Sequence, residues 1–328
     1  MLAHERDAGF TAEPYPLGYT KHESTCGIEV SLFSTSSAQM KKQRPSEDSG
    51  FPASVLPAED ASGAVAGIRV GIGGWVYSPW RDNFYPAGLV HRRELEYASR
   101  RVTAIEINGT YYGTQKPSTY ARWREEVPDG FVFSAKAPKR ITQSSKLAST
   151  GAQVEDFVGG IASLGDALGP LVWQFDRHTR IDRAQFEEFL ALLPSQHGGR
   201  SIRHVLDVRD PGFVGSELLA LARRHRIATV FTDSDEYPSF ADLTTDFVYA
   251  RLMRSQSRID TGYSLDALRA WARRARIWAE GGDPDDLPHL AAPAAAQAPR
   301  QVFMYFIGSA KERNPAAAVA LLKLLRAG

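Results

Sequence analysis

Several short apolar segments of the chain end in a charged or amide side chain. Side chains of these types can take part in acid/base chemistry. Glu106 and Asn108 end one segment two residues apart, so both would project from one face of a strand. Other segments end at further polar residues, namely Lys136, Gln174, Asp207, Arg209, Asp233 and Arg251. If these segments are strands of one barrel, six ionisable groups converge on one mouth.

The acidic members of this set can supply paired carboxylates. Glu106 near Asp207 or Asp233 would provide the acid and base of glycoside hydrolysis or of another proton transfer, if their separation is suitable. We therefore predict Glu106 as the base or acid, with Asp207 and Asp233 as its carboxylate partners.

Lys136 has two alternative roles, as a nucleophile or as a cation. It can form an imine if burial and neighbouring cations lower its pKa, whereas pairing with Glu106 or Asp207 would keep it protonated. We favour a clamp on a phosphate or carboxylate, because arginine binds such groups in bidentate geometry. The predicted clamp consists of Lys136, Arg140, Arg209 and Arg251.

Three acidic and three basic groups also permit a purely structural interpretation. Buried charges must be paired, so the six can neutralise one another in an ion-pair lattice. We favour function because apolar replacements of such lattices are often neutral or stabilising, and stability alone would not require all six charges.

The elements that must position these residues begin at Ile68, where β-branched or aromatic segments alternate with segments of helical period. The predicted strands cover residues 68–74, 103–107, 131–135, 170–175, 202–208, 228–232, 246–251 and 301–306. The predicted helices cover residues 91–100, 117–126, 153–166, 182–193, 216–225, 264–279 and 315–326, and none is clear between Asp233 and Asp246.

Eight strands in about 260 residues match an α/β fold of the (β/α)8 TIM-barrel type, whose catalytic groups project from the carboxyl ends of the strands. A doubly wound open sheet is the alternative. The run from Gly71 to Trp75, however, lacks the third glycine and the opening helix of a dinucleotide-binding loop.

Composition indicates the domain organisation and the compartment. Of 328 residues 43% are hydrophobic, and the net charge of +1 provides no global field for nucleic acid or membrane. Residues 1–66 lack periodicity and are predicted to be a poorly ordered extension, and residues 67–328 form the barrel domain.

The single cysteine, Cys26, excludes an intramolecular disulfide. With no apolar span or signal-peptide pattern, we expect a cytoplasmic protein without membrane contact.

Aromatic residues follow the first two predicted strands. Trp75, Tyr77 and Trp80, with Tyr111 and Tyr112, can stack on a sugar or base, and core packing is an equal alternative. Together with the basic groups they permit single-stranded nucleic acid binding, the main hypothesis without catalysis.

Five stretches in order carry a family resemblance: 71–80 (GIGGWVYSPW), 84–86 (FYP), 106–112 (EINGTYY), 131–136 (FVFSAK) and 168–175 (LGPLVWQF). Over residues 68–326 the chain resembles the DUF72 family, also called YecE-like. The resemblance implies a TIM barrel and no established reaction. It matches the family motifs at Gly71, Trp75, Tyr77, Trp80, Glu106, Asn108 and Thr110, and Lys136, Arg140, Arg209, Asp233 and Arg251 fall in family-like contexts.

Several positions depart from the family pattern. Asp210 and Met253 stand where the family commonly has histidine, and residues 306–309 (FIGS) replace a common Phe-Asn-Asn-Asp. These departures indicate a divergent branch. They also argue against a multinuclear site rich in histidine, because of the eight histidines only His178 follows a strand end and His204 should face the helices. We predict no cofactor, while a single Mg²⁺ held by Glu106, Asp207 or Asp233 stays open.

The favoured hypothesis is an enzyme, a hydrolase, lyase or isomerase, that does acid/base chemistry on a small anionic substrate, phosphorylated or sugar-like. Its predicted catalytic residues are Glu106, Lys136, Asp207 and Asp233, and its substrate-binding residues are Trp75, Tyr77, Trp80, Asn108, Thr110, Arg140, Arg209 and Arg251. The alternatives are a protein that binds a nucleotide or single-stranded nucleic acid, and a scaffold that has lost activity. The sequence does not predict the oligomeric state.

Overall fold

The computed structural model describes residues 65, 67–179, 181–292 and 298–327, and its eight longest strands close into a barrel. All eight are parallel, and they follow chain order around the barrel until the last pairs with the first. They are β1 (Ile68–Gly73), β2 (Ala104–Ile107), β3 (Val132–Lys136), β4 (Leu168–Phe175), β5 (His204–Val208), β6 (Ala228–Asp233), β7 (Phe247–Leu252) and β8 (Gln301–Phe306). The predicted TIM barrel is confirmed.

Helices surround the barrel and lie between successive strands. They are α1 (Glu94–Ser99), α2 (Pro117–Glu126), α3 (Lys139–Thr142), α4 (Gly151–Ile161), α5 (Arg183–Leu192), α6 (Ser216–His225), α7 (Leu265–Ala279) and α8 (Asn314–Ala327). Residues 234–246, between β6 and β7, form no helix, as the sequence predicted. A short antiparallel hairpin, Gln196–His197 with Arg200–Ser201, precedes β5 and was not predicted. No helix in the described ranges is long and apolar enough to cross a membrane.

The predicted N-terminal extension, residues 1–66, lies outside the described residues except for Val65, and so does Cys26.

Alternation along the strands separates two cores. Inward side chains such as Tyr249 and Tyr305 pack together inside the barrel. Outward side chains pack against the helices: Trp173 of β4 meets α5, and Phe231 of β6 meets α7. His204 lies on the outward side as predicted, where it accepts a hydrogen bond from Trp173 Nε1 at 3.0 Å.

Gly71 is inward on β1 and has no room for a side chain. A Cβ there would lie 2.2 Å from the carbonyl oxygen of Ala104 and 3.0 Å from Cε1 of Tyr305. The glycine therefore lets β1 approach β2 closely while Tyr305 fills the interior.

The register between neighbouring strands places polar side chains at the same height near the carboxyl end of the barrel. Gln174 of β4 pairs with Asp207 of β5, and Arg251 of β7 pairs with Thr232 of β6. These residues are inward because they keep the two-residue spacing of the interior core. Asp233, next to Thr232, therefore points to the opposite side of β6.

Candidate functional site

A buried ion-pair lattice, made of Glu106, Asp207 and Arg251, crosses the barrel below its C-terminal mouth. Arg251 binds Glu106 in bidentate fashion, with Nη2 2.8 Å from Oε1 and Nε 3.0 Å from Oε2. Its Nη1 donates to Oδ2 of Asp207 at 2.5 Å and lies 3.5 Å from Oε1 of Gln174. One guanidinium thus holds carboxylates from two other strands.

This lattice is sealed from solvent. Glu106 has no exposed surface, and its Oε2 also accepts a hydrogen bond from the hydroxyl of Tyr249 at 2.6 Å. Burial alone would lower the pKa of Arg251, but the carboxylates of Glu106 and Asp207 raise it above its ordinary value. Glu106 therefore anchors Arg251 from a closed position, and the structure does not expose it to a substrate as the sequence-based role required.

Lys136 is the cation at this end of the barrel that the lattice leaves unpaired. Among the described residues, no carboxylate oxygen lies within 4.0 Å of its Nζ, which sits 4.3 Å from the centre of the Tyr111 ring. Burial, and then the charge of Arg251, lowers the pKa of Lys136 to about 8, although Glu106 and Asp207 partly oppose the shift. The two carboxylates expected to pair with this amine, Glu106 and Asp207, both bind Arg251.

Asp176 lies at the rim of the mouth, two residues beyond Gln174. Its carboxylate accepts hydrogen bonds from Tyr111 Oη at 2.5 Å, Gln174 Nε2 at 2.5 Å and Gln143 Nε2 at 3.1 Å. Burial alone would raise the pKa of Asp176, but these donors and nearby Arg209 hold it below its ordinary value. Tyr111 thus connects the two groups, because its hydroxyl binds the carboxylate of Asp176 and its ring faces the amine of Lys136.

Arg209 connects the lattice to the open mouth. Its Nε donates to Oδ2 of Asp207 at 3.1 Å, its guanidinium carbon lies 4.2 Å from the centre of the Tyr237 ring, and 15% of its side chain is exposed. An arginine held in this way keeps further N–H donors for an anion. Hereafter the mouth means Lys136, Asp176, Arg209, Tyr111 and Tyr237.

Lys136 and Arg209 were predicted as site residues and Tyr111 was considered only for stacking, whereas Asp176 and Tyr237 were not predicted. Asp176 continues the inward spacing of Gln174, and this signal was available. Tyr237 lies in the irregular connection after β6, where no periodicity indicates which way a side chain points.

Comparison with known proteins identifies the family. A family model described as "Protein of unknown function DUF72" matches residues 69–328, which is most of the chain. The chain belongs to the DUF72 family. No curated protein matches the sequence.

Two solved DUF72 structures share the fold. A DUF72 family protein of Thermotoga maritima aligns with a TM-score of 0.61 at 18% identity, covering 80% of this chain and 99% of that one. A second, from Enterococcus faecalis, aligns with a TM-score of 0.56 at 15% identity, covering 79% of this chain and 97% of that one. These similarities show the fold of the DUF72 barrel and nothing about a substrate.

Two charged residues named for the site lie elsewhere in this DUF72 barrel. Asp233 points away from the interior, where its carboxylate accepts a hydrogen bond from the Tyr263 hydroxyl at 3.2 Å and lies 3.3 Å from Nε of Arg254. Arg140 is exposed on α3 and pairs with Asp156 at 3.1 Å. The structure brings neither of them to Arg251, so the expected Glu106–Asp233 pair does not form.

The aromatic residues of the DUF72 motif pack into the protein. Trp75 meets Trp123 of α2 edge-on, with ring centres 4.8 Å apart. Trp80 is fully buried and donates to the carbonyl oxygen of Lys311 at 2.9 Å, and Tyr77 packs on its edge at 5.5 Å. Trp80 is therefore unable to stack on a bound sugar or base.

The two polar residues of the DUF72 motif after β2 support the mouth. Thr110 is buried and donates to the carbonyl oxygen of Lys136 at 2.7 Å, which fixes the end of β3. Asn108 is partly exposed above Glu106, whose carbonyl oxygen lies 3.4 Å from its Nδ2.

The carboxylates named for Mg²⁺ do not share one site. Glu106 and Asp207 both bind Arg251, whereas Asp233 lies on the outward side of β6. Across the described part of the chain, no three or more His, Cys, Asp or Glu side chains are grouped as a metal site requires.

Proposed function

We propose that this DUF72 protein is an enzyme that moves protons on a small anionic substrate, phosphorylated or sugar-like, at the C-terminal mouth of its barrel. The observation that carries the proposal is Lys136, a largely buried amine without a carboxylate partner beside a lattice whose guanidinium is fixed. In TIM barrels this end of the strands is where catalytic groups lie.

Lys136 is the proton-transferring group of the proposal. With a pKa of about 8, roughly a tenth of its amine is unprotonated at pH 7, so it can both accept and return a proton near neutral pH. Perturbed titration in a cleft is typical of catalytic groups, although structural charge networks produce it too. Arg251 and Arg209 together supply two positive charges for the carboxylates of Glu106 and Asp207, so Lys136 is not needed to neutralise them.

Arg209 and Asp176 are the binding groups of the proposal. Arg209 presents the N–H donors of its Nη atoms to the phosphate or carboxylate of the substrate. Its contacts with Asp207 and Tyr237, and its ion pair with Asp176 at 4.0 Å, hold its geometry. The ionised Asp176 accepts hydrogen bonds from substrate hydroxyls, as a sugar-like molecule would supply.

Proton transfer can be tested without knowing the overall reaction. A panel of triose, pentose and hexose phosphates is incubated with the protein in D₂O, and exchange of carbon-bound hydrogen is followed by NMR. We expect at least one member to exchange, with a rate that rises through a midpoint near pH 8 and falls at least 100-fold in Lys136→Met. Lys139→Met is the control, because Lys139 lies three residues away on α3 over the ring of Tyr112.

Two outcomes contradict the proposal. One is exchange that persists in Lys136→Met, and the other is the absence of exchange with every member of the panel. Binding of single-stranded nucleic acid at the mouth stays the alternative prediction, and the burial of Trp80 removes one of the rings that it would have used.

A further inference from the structure

Two arginines lie at the other, N-terminal end of the barrel, far from the mouth along the strands. Arg69 is inward on β1, two residues before Gly71, and Arg203 immediately precedes β5. Both line a cavity of about 290 Å³, together with Ser201, Gln301 and Phe303.

The guanidinium of Arg69 has no counter-charge. Among the described residues, no carboxylate oxygen lies within 4.0 Å of it, and its buried Nε makes no hydrogen bond. Burial lowers the pKa of Arg69, and only the electrostatic effect of Tyr305 opposes that shift. A partly buried cation without a partner costs folding free energy, and a negative group in the cavity would remove that cost.

Arg203 brings a second cation to the same cavity. Its Nη1 donates to the side-chain oxygen of Gln301, and its guanidinium carbon lies 5.5 Å from the ring centre of Phe247 and 5.8 Å from that of Phe303. Burial also lowers the pKa of Arg203, with partial opposition from Asp246, which is not within ion-pair distance. The orientation of Arg203 is therefore fixed by neutral contacts, and its charge is not neutralised by an ion pair.

One carboxylate does line the cavity, and it is already paired. Asp166 forms an ion pair with Arg200, and 72% of its side chain is exposed. Exposed carboxylates are screened by water. The cavity thus keeps an excess of positive charge from Arg69 and Arg203.

We infer that this N-terminal cavity binds a small oxyanion, a phosphate group, between the guanidinium groups of Arg69 and Arg203. Each guanidinium offers several N–H donors in a plane, the arrangement that fits phosphate oxygens. A cavity of this size also has space beyond the phosphate, and the ring of Phe303 provides an apolar wall for the remainder of a phosphate monoester. The layer of Tyr249 and Tyr305 lies between this cavity and the lattice, so the site is separate from the mouth.

Calorimetric titration with inorganic phosphate at constant ionic strength tests the inference on the full chain. We expect saturable binding by the wild type and at least a tenfold weaker Kd in Arg69→Gln and in Arg203→Gln. The titrations are repeated in the Arg209→Gln background, which removes the phosphate ligand proposed for the mouth. Saturable binding should persist there and weaken at least tenfold when Arg69→Gln or Arg203→Gln is added. Arg101→Gln should leave the binding unchanged, because Arg101 precedes β2 at the same end of the barrel but packs on Tyr97 outside the cavity.

Thermal unfolding separates a binding defect from a folding defect. Without phosphate, Arg69→Gln should melt at or above the wild-type temperature, because it removes an unpaired charge. Phosphate should raise the midpoint of the wild type and of Arg101→Gln, and should not raise that of Arg69→Gln. A small phosphate monoester such as glycerol phosphate is titrated in parallel. Whichever of inorganic phosphate and the monoester binds with the lower Kd identifies the ligand as the free ion or as an organic phosphate. No binding by the wild type, equal binding by Arg69→Gln, or binding abolished by Arg209→Gln would each overturn the inference.

Discussion

Replacing Arg251 by Met should strongly destabilise the fold, because the substitution leaves the buried Glu106 without a cation and Asp207 with Arg209 alone. Arg251 makes the bidentate contact with Glu106 and the 2.5 Å contact with Asp207, and these side chains are 0% and 5% exposed. Removal of one partner from a buried pair costs about 3–5 kcal/mol. Glu106 becomes unpaired and Asp207 keeps its contact with Arg209, so we expect a loss within this range, about 4 kcal/mol, which is roughly 8–16 °C in the melting midpoint of a domain of this size.

The assay compares thermal and chemical unfolding of the wild type, Arg251→Met and a triple variant that adds Glu106→Gln and Asp207→Asn. The triple variant leaves no buried carboxylate without a cation, and Arg209 keeps Asp176, so it should recover most of the lost stability. Its remaining deficit would come from amide groups left without a hydrogen-bond partner. The reasoning is refuted if Arg251→Met is within about 1 kcal/mol of the wild type, or if the triple variant is as unstable as the single one.

Three further predictions concern other parts of the fold. Tyr249→Phe removes a hydrogen bond to a carboxylate and should cost about 1.5–3 kcal/mol, whereas Tyr305→Phe removes a neutral one, to a serine, and should cost about 1 kcal/mol in the same denaturant titration. Gly71→Ala should abolish soluble expression or cost more than about 3 kcal/mol, while Gly109→Ala, where a Cβ meets nothing within 4 Å, should fold normally. Burial lowers the pKa of His204 from 6.5 to about 4. As the pH falls, His204 is therefore protonated in the unfolded protein before it is protonated in the folded one. The unfolding free energy should therefore fall as pH drops from 6.5 to 4, and less steeply in His204→Gln; equal slopes would contradict this.

Periodicity was sufficient to predict the barrel and the centre of the lattice. Glu106, Asp207 and Arg251 each end an apolar run, and the two-residue spacing of a strand places all three inside the barrel. The pairing of these charges depends on distances across the barrel interior, and such distances cannot be predicted from the sequence. The sequence therefore did not predict that Arg251 binds both carboxylates while Lys136 has no carboxylate partner.

The failures also have physical causes. Strand six was expected to end at residue 232, but β6 continues through Asp233, whose position in the alternation makes it an outward residue. The environment of Trp80 is completed by the carbonyl group of Lys311, more than 200 residues later in the chain. Aromatic residues in a loop have the same local pattern whether they line a ligand site or fill a core.

The proposed function rests on Lys136 being an unpaired amine, and its titration tests this most directly. The rate of acetylation of Lys136 by acetic anhydride, followed by mass spectrometry of its peptide between pH 6 and 11, reports the unprotonated fraction. We predict a midpoint near pH 8, which moves upward in Arg209→Gln because one of the cations that lowers the pKa of Lys136 is gone. A midpoint at or above 10.5, the ordinary value for lysine, would show that burial and Arg251 do not lower the pKa of Lys136 and would contradict the account.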